Sequence, residues 1–135
     1  MKRYLNQTSI RMLMLLVWGA LALALTMLPN SVPLVGRVSR SLGGTAIGAA
    51  FGHAGLFGGV VLMLYLVLRL RLSQAWAVLL AVGAALVVST GTEGYQVLLA
   101  DRDASLSDLM ANWLGVFVMG FGISYVGNLL EKTRQ

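Results

Sequence analysis

Charge is what this sequence has least of. Only 11% of its 135 residues are Asp, Glu, Lys or Arg, against roughly 25% in an ordinary soluble chain. A water-soluble domain of this length cannot cover its surface with so few charges, so that class is excluded. Cysteine is absent altogether, which removes a disulfide framework, a thiolate metal site and a cysteine nucleophile. The ten cations stand singly or in pairs at the ends of apolar runs, so the net charge of +5 does not mark a nucleic-acid partner. What the chain does have is apolar: 58% hydrophobic residues and sixteen glycines, with a mean hydropathy of +0.81. This is the composition of an integral membrane protein.

Four apolar stretches approach or exceed the roughly 20 residues that carry a helix across a bilayer. They run from about Met12 to Leu28, Gly43 to Leu68, Ala75 to Ala100 and Leu109 to Leu130. The basic head before the first also suits a signal peptide. Its apolar core is long for that role, and Leu28-Pro29-Asn30 is a poor small-x-small cleavage site, which favours an uncleaved span. Pro29 through Leu42, with both prolines, Arg37 and Arg40, reads as an irregular loop. The few residues from Arg69 to Gln74 make the second and third spans antiparallel neighbours, and Asp101 to Ser107 links the third to the fourth.

Orientation follows from the distribution of Lys and Arg in short flanks. With both termini inside, Lys2, Arg3, Arg11, Arg69, Arg71, Lys132 and Arg134 lie on the cytoplasmic side, and only Arg37, Arg40 and Arg102 outside. The reading is therefore an all-α, single-domain, antiparallel up-down four-helix bundle with cytoplasmic termini.

Gly44, Gly48, Gly52, Gly55 and Gly59 recur at steps of four and three and form one stripe down the second span. Small residues let backbones approach closely in lipid. The stripe suits packing inside the bundle, a docking face for a partner membrane subunit, or a lipid. Ala77, Gly83, Ala84 and Ala85, with Gly115, Gly120, Gly122 and Gly127, offer complementary surfaces.

Polar residues inside spans are costly and mark functional candidates. Ser89, Glu93 and Gln96 share one face of the third span; Asp108, Asn112 and Gly115 share one face of the fourth. Arg102 lies between them, and a serine before Asp108 is placed to cap the last helix. Four of the five acids, Glu93, Asp101, Asp103 and Asp108, gather around this outer loop. A planar guanidinium beside carboxylates and amides suits phosphate or carboxylate, so Glu93, Gln96, Arg102, Asp108 and Asn112 are expected to line an outer-leaflet pocket. His53 joins them from the second span. Three readings fit it: a hydrogen bond to Glu93, Ser89 or Thr92, membership of a binding or proton-handling pocket, or ligation of a haem or chlorophyll.

The run Glu93-Gly-Tyr-Gln96, then Arg102, then Ser105-Leu-Ser-Asp108-Leu-Met-Ala-Asn112-Trp-Leu-Gly115 resembles the signature of the VanZ-like family. Those small four-span membrane proteins show E-x-x-Q, a following R, then S-x-x-D-x-x-x-N-x-x-G opening the last helix. The resemblance departs upstream, where many relatives carry an Asp-Lys pair before a histidine and this chain has Ala49 and Ala50 before His53. It implies a cell-envelope role in a bacterial cytoplasmic membrane, with Glu93, Gln96, Arg102, Asp108, Asn112 and Gly115 as motif positions and His53 as an addition to them. The family's namesake is associated with teicoplanin resistance.

Two functions of different class follow. One is an envelope protein whose pocket binds a polar lipid or a cell-wall precursor headgroup. The other is an accessory subunit of an energy-converting or photosynthetic membrane complex, with a pigment near His53. Enzyme chemistry by Glu93, Asp108 and His53 is less favoured, since there is no nucleophile motif or metal cluster, and no cofactor or metal is otherwise expected.

Overall fold

The structure is a computed structural model; it describes residues 2–43, 45–99 and 105–133, with side chains described from residue 6 onward except at 42 and 43. Among these residues it is all helical: α1 (Lys2–Met27), α2 (Pro33–Gly43), α3 (Ala46–Leu68), α4 (Gln74–Gln96) and α5 (Leu106–Lys132). Four of the helices are long and apolar enough to cross a membrane, over Asn6–Met27, Ala46–Leu68, Gln74–Gln96 and Leu106–Lys132. The chain is thus a multi-pass membrane protein. The first span starts earlier than its apolar run because hydroxyl and amide residues such as Gln7 and Thr8 continue the helix. The third ends at Gln96 rather than Ala100, and its last turn carries the polar residues expected deeper in the span.

The segment read as an irregular loop between the first two spans is instead the helix α2. Proline suits a first helical turn because its missing N–H would have no partner there anyway. The Gly36 amide donates to the Val32 carbonyl at 2.9 Å, so helical bonding begins at once. The helix is amphipathic: Val35 and Gly36 are buried, while Arg37 and Arg40 are exposed. Arg40 stands in the last turn, where a cation interacts favourably with the helix dipole.

α3 is the central element and touches all four other helices. Its buried residues Phe57, Val60 and Val61 meet Ala22, Ala81, Ala85 and Val116 from three neighbours. The core is thin in side-chain volume and depends on backbone proximity. A Cβ on Gly115 would collide with the Ala54 backbone, and one on Gly58 would lie 3.1 Å from the Gly115 carbonyl oxygen. α4 packs through Ala77, Ala81, Ala85 and Ser89, a four-residue repeat of small side chains that are all fully buried. That repeat, rather than Gly83 and Ala84, is the small-residue seam of α4; both of the latter are exposed, and a Cβ on Gly83 would meet nothing within 4 Å. α1 is pinned to α3 by Arg11, whose Nη1 donates to the Leu66 carbonyl at 2.8 Å, and by Trp18, whose indole donates to the Leu56 carbonyl at 3.0 Å. Large apolar side chains such as Leu16, Val87 and Phe121 cover the outside, the surface that hydrocarbon solvates.

Candidate functional site

The polar residues of three spans meet at one end of the bundle. His53 lies seven residues into α3, about 10 Å along it; Glu93 and Gln96 are in the last turn of α4, and Asp108 is in the first turn of α5. Ser105 holds the N-cap position of α5 with an extended backbone, but its side chain makes no capping bond. Its hydroxyl instead pairs with that of Ser107 at 2.5 Å. Asp108 then supplies the negative charge in the first turn that the helix dipole favours.

Asn112 is the hub. It is fully buried, its Oδ1 lies 2.9 Å from His53 Nδ1, and its Nδ2 donates to Glu93 Oε1 at 3.3 Å. Glu93 is 6% exposed, and its second oxygen, Oε2, has no hydrogen-bond partner among the described residues. On the far side of the imidazole, His53 Nε2 faces Asp108 Oδ2 at 3.8 Å. A chain of four polar side chains therefore runs from the buried Glu93 through Asn112 and His53 to Asp108. Gln96 makes a separate bond, donating from Nε2 to the Thr26 carbonyl at 3.0 Å and so tying α4 to α1.

Beside this chain is a cavity of about 810 Å³, open on one side and walled by α1, α2 and α3. Its size falls in the roughly 300–1,000 Å³ range of small-molecule sites. Trp18, Leu21, Leu25 and Leu56 give it an apolar body, and His53, Asp108 and Gln96 a polar end. The expected pocket residues divide accordingly. His53, Gln96 and Asp108 line the cavity, whereas Glu93 and Asn112 stand behind them as support. Arg102 lies outside the described residues, as do Asp101, Asp103 and Gly44.

The glycine stripe also divides. Gly59 sits under Trp18, where a Cβ would strike the indole. Gly48, Gly52 and Gly55 instead form a wall of the cavity, and a Cβ on Gly55 would meet nothing within 4 Å. Thr26, Val35 and Val38 also face the cavity, and the sequence reading did not select them. The four-residue spacing of Ala22 and Thr26 with Trp18 was the available signal for α1.

Chemically, the polar end offers acceptors and a charge. No group of three or more His, Cys, Asp or Glu able to hold a metal occurs among the described residues. For the haem or chlorophyll reading of His53, one ring nitrogen is engaged by Asn112 and the other faces Asp108. No family model, curated protein or solved structure matches the chain.

Proposed function

We propose that the chain is a VanZ-like envelope protein of the bacterial cytoplasmic membrane, and that its cavity holds the headgroup of a polar lipid or lipid-linked cell-wall precursor. The observation that carries this reading is the cavity itself, whose apolar walls and glycine-flattened side suit a hydrocarbon chain while His53, Gln96 and Asp108 suit a headgroup. The contacts support an antiparallel up-down order. Arg11 and Trp18 of α1 meet Leu66 and Leu56 of α3 in reverse sequence. Thr90 and Glu93 of α4 likewise meet Trp113 and Asn112 of α5, while Gln74 reaches Ser124.

Together with the cation distribution already described, this order supports a cavity in the outer leaflet and termini in the cytoplasm. The cysteine-free chain makes the orientation simple to test. Ser41→Cys on α2 is expected to react with a membrane-impermeant maleimide from outside intact cells. Ser73→Cys, between α3 and α4, is expected to react only after permeabilisation; the reverse pattern inverts the topology.

Occupancy is tested by Gly55→Leu, which adds a side chain to the cavity wall at a position where a Cβ meets nothing within 4 Å. The variant is expected to keep its thermal stability. Retention of co-purified lipid, followed by native mass spectrometry, is expected to fall at least tenfold, equivalent to about 1.4 kcal/mol. Arg102→Ala is expected to weaken retention of phosphate-bearing lipids as well. Equal lipid retention by wild type and Gly55→Leu would remove the cavity from the reading.

A further inference from the structure

The orientation of Asn112 determines what the polar end of the cavity can bind. Its Nδ2 donates to Glu93 Oε1, so its Oδ1 is the atom turned toward His53. With Glu93 a carboxylate, the opposite amide orientation would set two acceptor oxygens against each other. An amide oxygen only accepts, so His53 Nδ1 is the donor of the 2.9 Å bond. In the neutral ring Nε2 is then a lone-pair acceptor, and it faces the Asp108 carboxylate, another acceptor, at 3.8 Å. Both side chains line the cavity. Two acceptors side by side call for a group with several N–H donors, and one nitrogen at about 2.9 Å from each spans that gap.

Charge points the same way. His53 apart, Asp108 is the one ionisable side chain lining the cavity among the described residues. Among the described residues, the cations of the same end are Arg37 and Arg40 of α2; both are exposed, and the Arg40 guanidinium folds back to Gly36, 3.3 Å from where a Cβ there would lie. Gly36 in turn abuts the carbonyl of Asn30, which is part of the cavity lining. A negative pocket beside a positive helix complements a zwitterion that carries ammonium and phosphate close together.

Resting on the cavity reading above, we infer that His53 and Asp108 form a receptor for a primary ammonium, with Arg37 and Arg40 placed for an adjacent phosphate. The ligand class is a phosphoethanolamine-type lipid. A quaternary ammonium lacks the N–H donors and is a poor substitute. A glycerol or isoprenoid pyrophosphate headgroup lacks the cation.

The full-length protein in detergent is titrated with short-chain phosphatidylethanolamine, phosphatidylcholine and phosphatidylglycerol and with an isoprenoid pyrophosphate. Phosphatidylethanolamine is expected to bind at least tenfold more tightly than the other three. Asp108→Asn is expected to abolish that preference by weakening phosphatidylethanolamine binding at least tenfold. Because His53 is the chain's single histidine, ¹⁵N NMR of labelled histidine reads its tautomer directly. Nδ1–H with an unprotonated Nε2 is expected in the lipid-free protein, with an Nε2 shift on adding phosphatidylethanolamine. An imidazolium in the lipid-free protein, or an unchanged preference in Asp108→Asn, overturns the ammonium site. Binding of all four lipids within twofold, or tightest binding of the pyrophosphate, overturns it too but leaves a lipid cavity. No binding of any of them removes both readings.

Discussion

Gly115→Ala is expected to destabilise the protein more than any other single-methyl change, by about 3 kcal/mol, the upper end of overpacking costs. The added Cβ would meet the Ala54 backbone, with its carbonyl carbon and Cα at 2.6 Å. Backbone cannot rotate away as a side chain would, so α3 and α5 must separate. The consequence reaches the site, since Gly115 is one turn beyond Asn112 and the displacement lengthens the 2.9 Å contact between Asn112 and His53. Unfolding in a denaturing-detergent titration measures the loss. Gly122→Ala on the same helix is the control: its Cβ would meet nothing within 4 Å. Higher helix propensity should leave that variant neutral or slightly more stable, by up to about 1 kcal/mol. Comparable stabilities for the two variants would mean that α3 and α5 are not held by backbone contact at Gly115.

The contrast between these glycines shows where sequence reasoning reaches and where it stops. The four spans are legible because bilayer thickness imposes a length that apolar runs must meet. α2 is not, because an eleven-residue amphipathic helix beginning with proline and carrying two arginines has the composition of a loop. The four-residue steps of Glu93 with Ser89, and of Asp108 with Asn112, place each pair on one face of its helix, and these faces do meet. The role of Asn112 between His53 and Glu93 is invisible in spacing, because it depends on how closely Gly115 lets α5 approach α3. The glycine stripe fails as a guide for a related reason. Small residues look the same in sequence whether a helix covers them, as Trp18 does Gly59, or open space does, as at Gly55.

Asn112→Leu is expected to cost about 2–4 kcal/mol, because it strands the buried Glu93 carboxyl, at about 1–3 kcal/mol, and takes the acceptor from the half-buried His53 at a smaller cost. His53 Nδ1 loses its acceptor and Glu93 Oε1 its donor. Glu93 Oε2 already lacks a partner among the described residues, so the carboxyl has little to replace the lost donor. This exceeds the roughly 0.6 kcal/mol that an interhelical hydrogen bond contributes on average, since breaking one side of a buried network costs more than the bond is worth. The asymmetry supplies its own control. Replacing both partners, as in Glu93→Leu with Asn112→Leu, removes the stranded carboxylate and is expected to recover more than half of the loss, a coupling that a double-mutant cycle reads directly. The same double variant separates scaffold from site. With Asn112 gone nothing fixes the His53 tautomer, so lipid preference is expected to fall although the helices still pack. A double variant as unstable as Asn112→Leu alone would show that Asn112 acts by shape rather than by hydrogen bonding. One that is stable and keeps its lipid preference would show that Glu93 and Asn112 only join α4 to α5 and have no part in presenting His53 to the cavity.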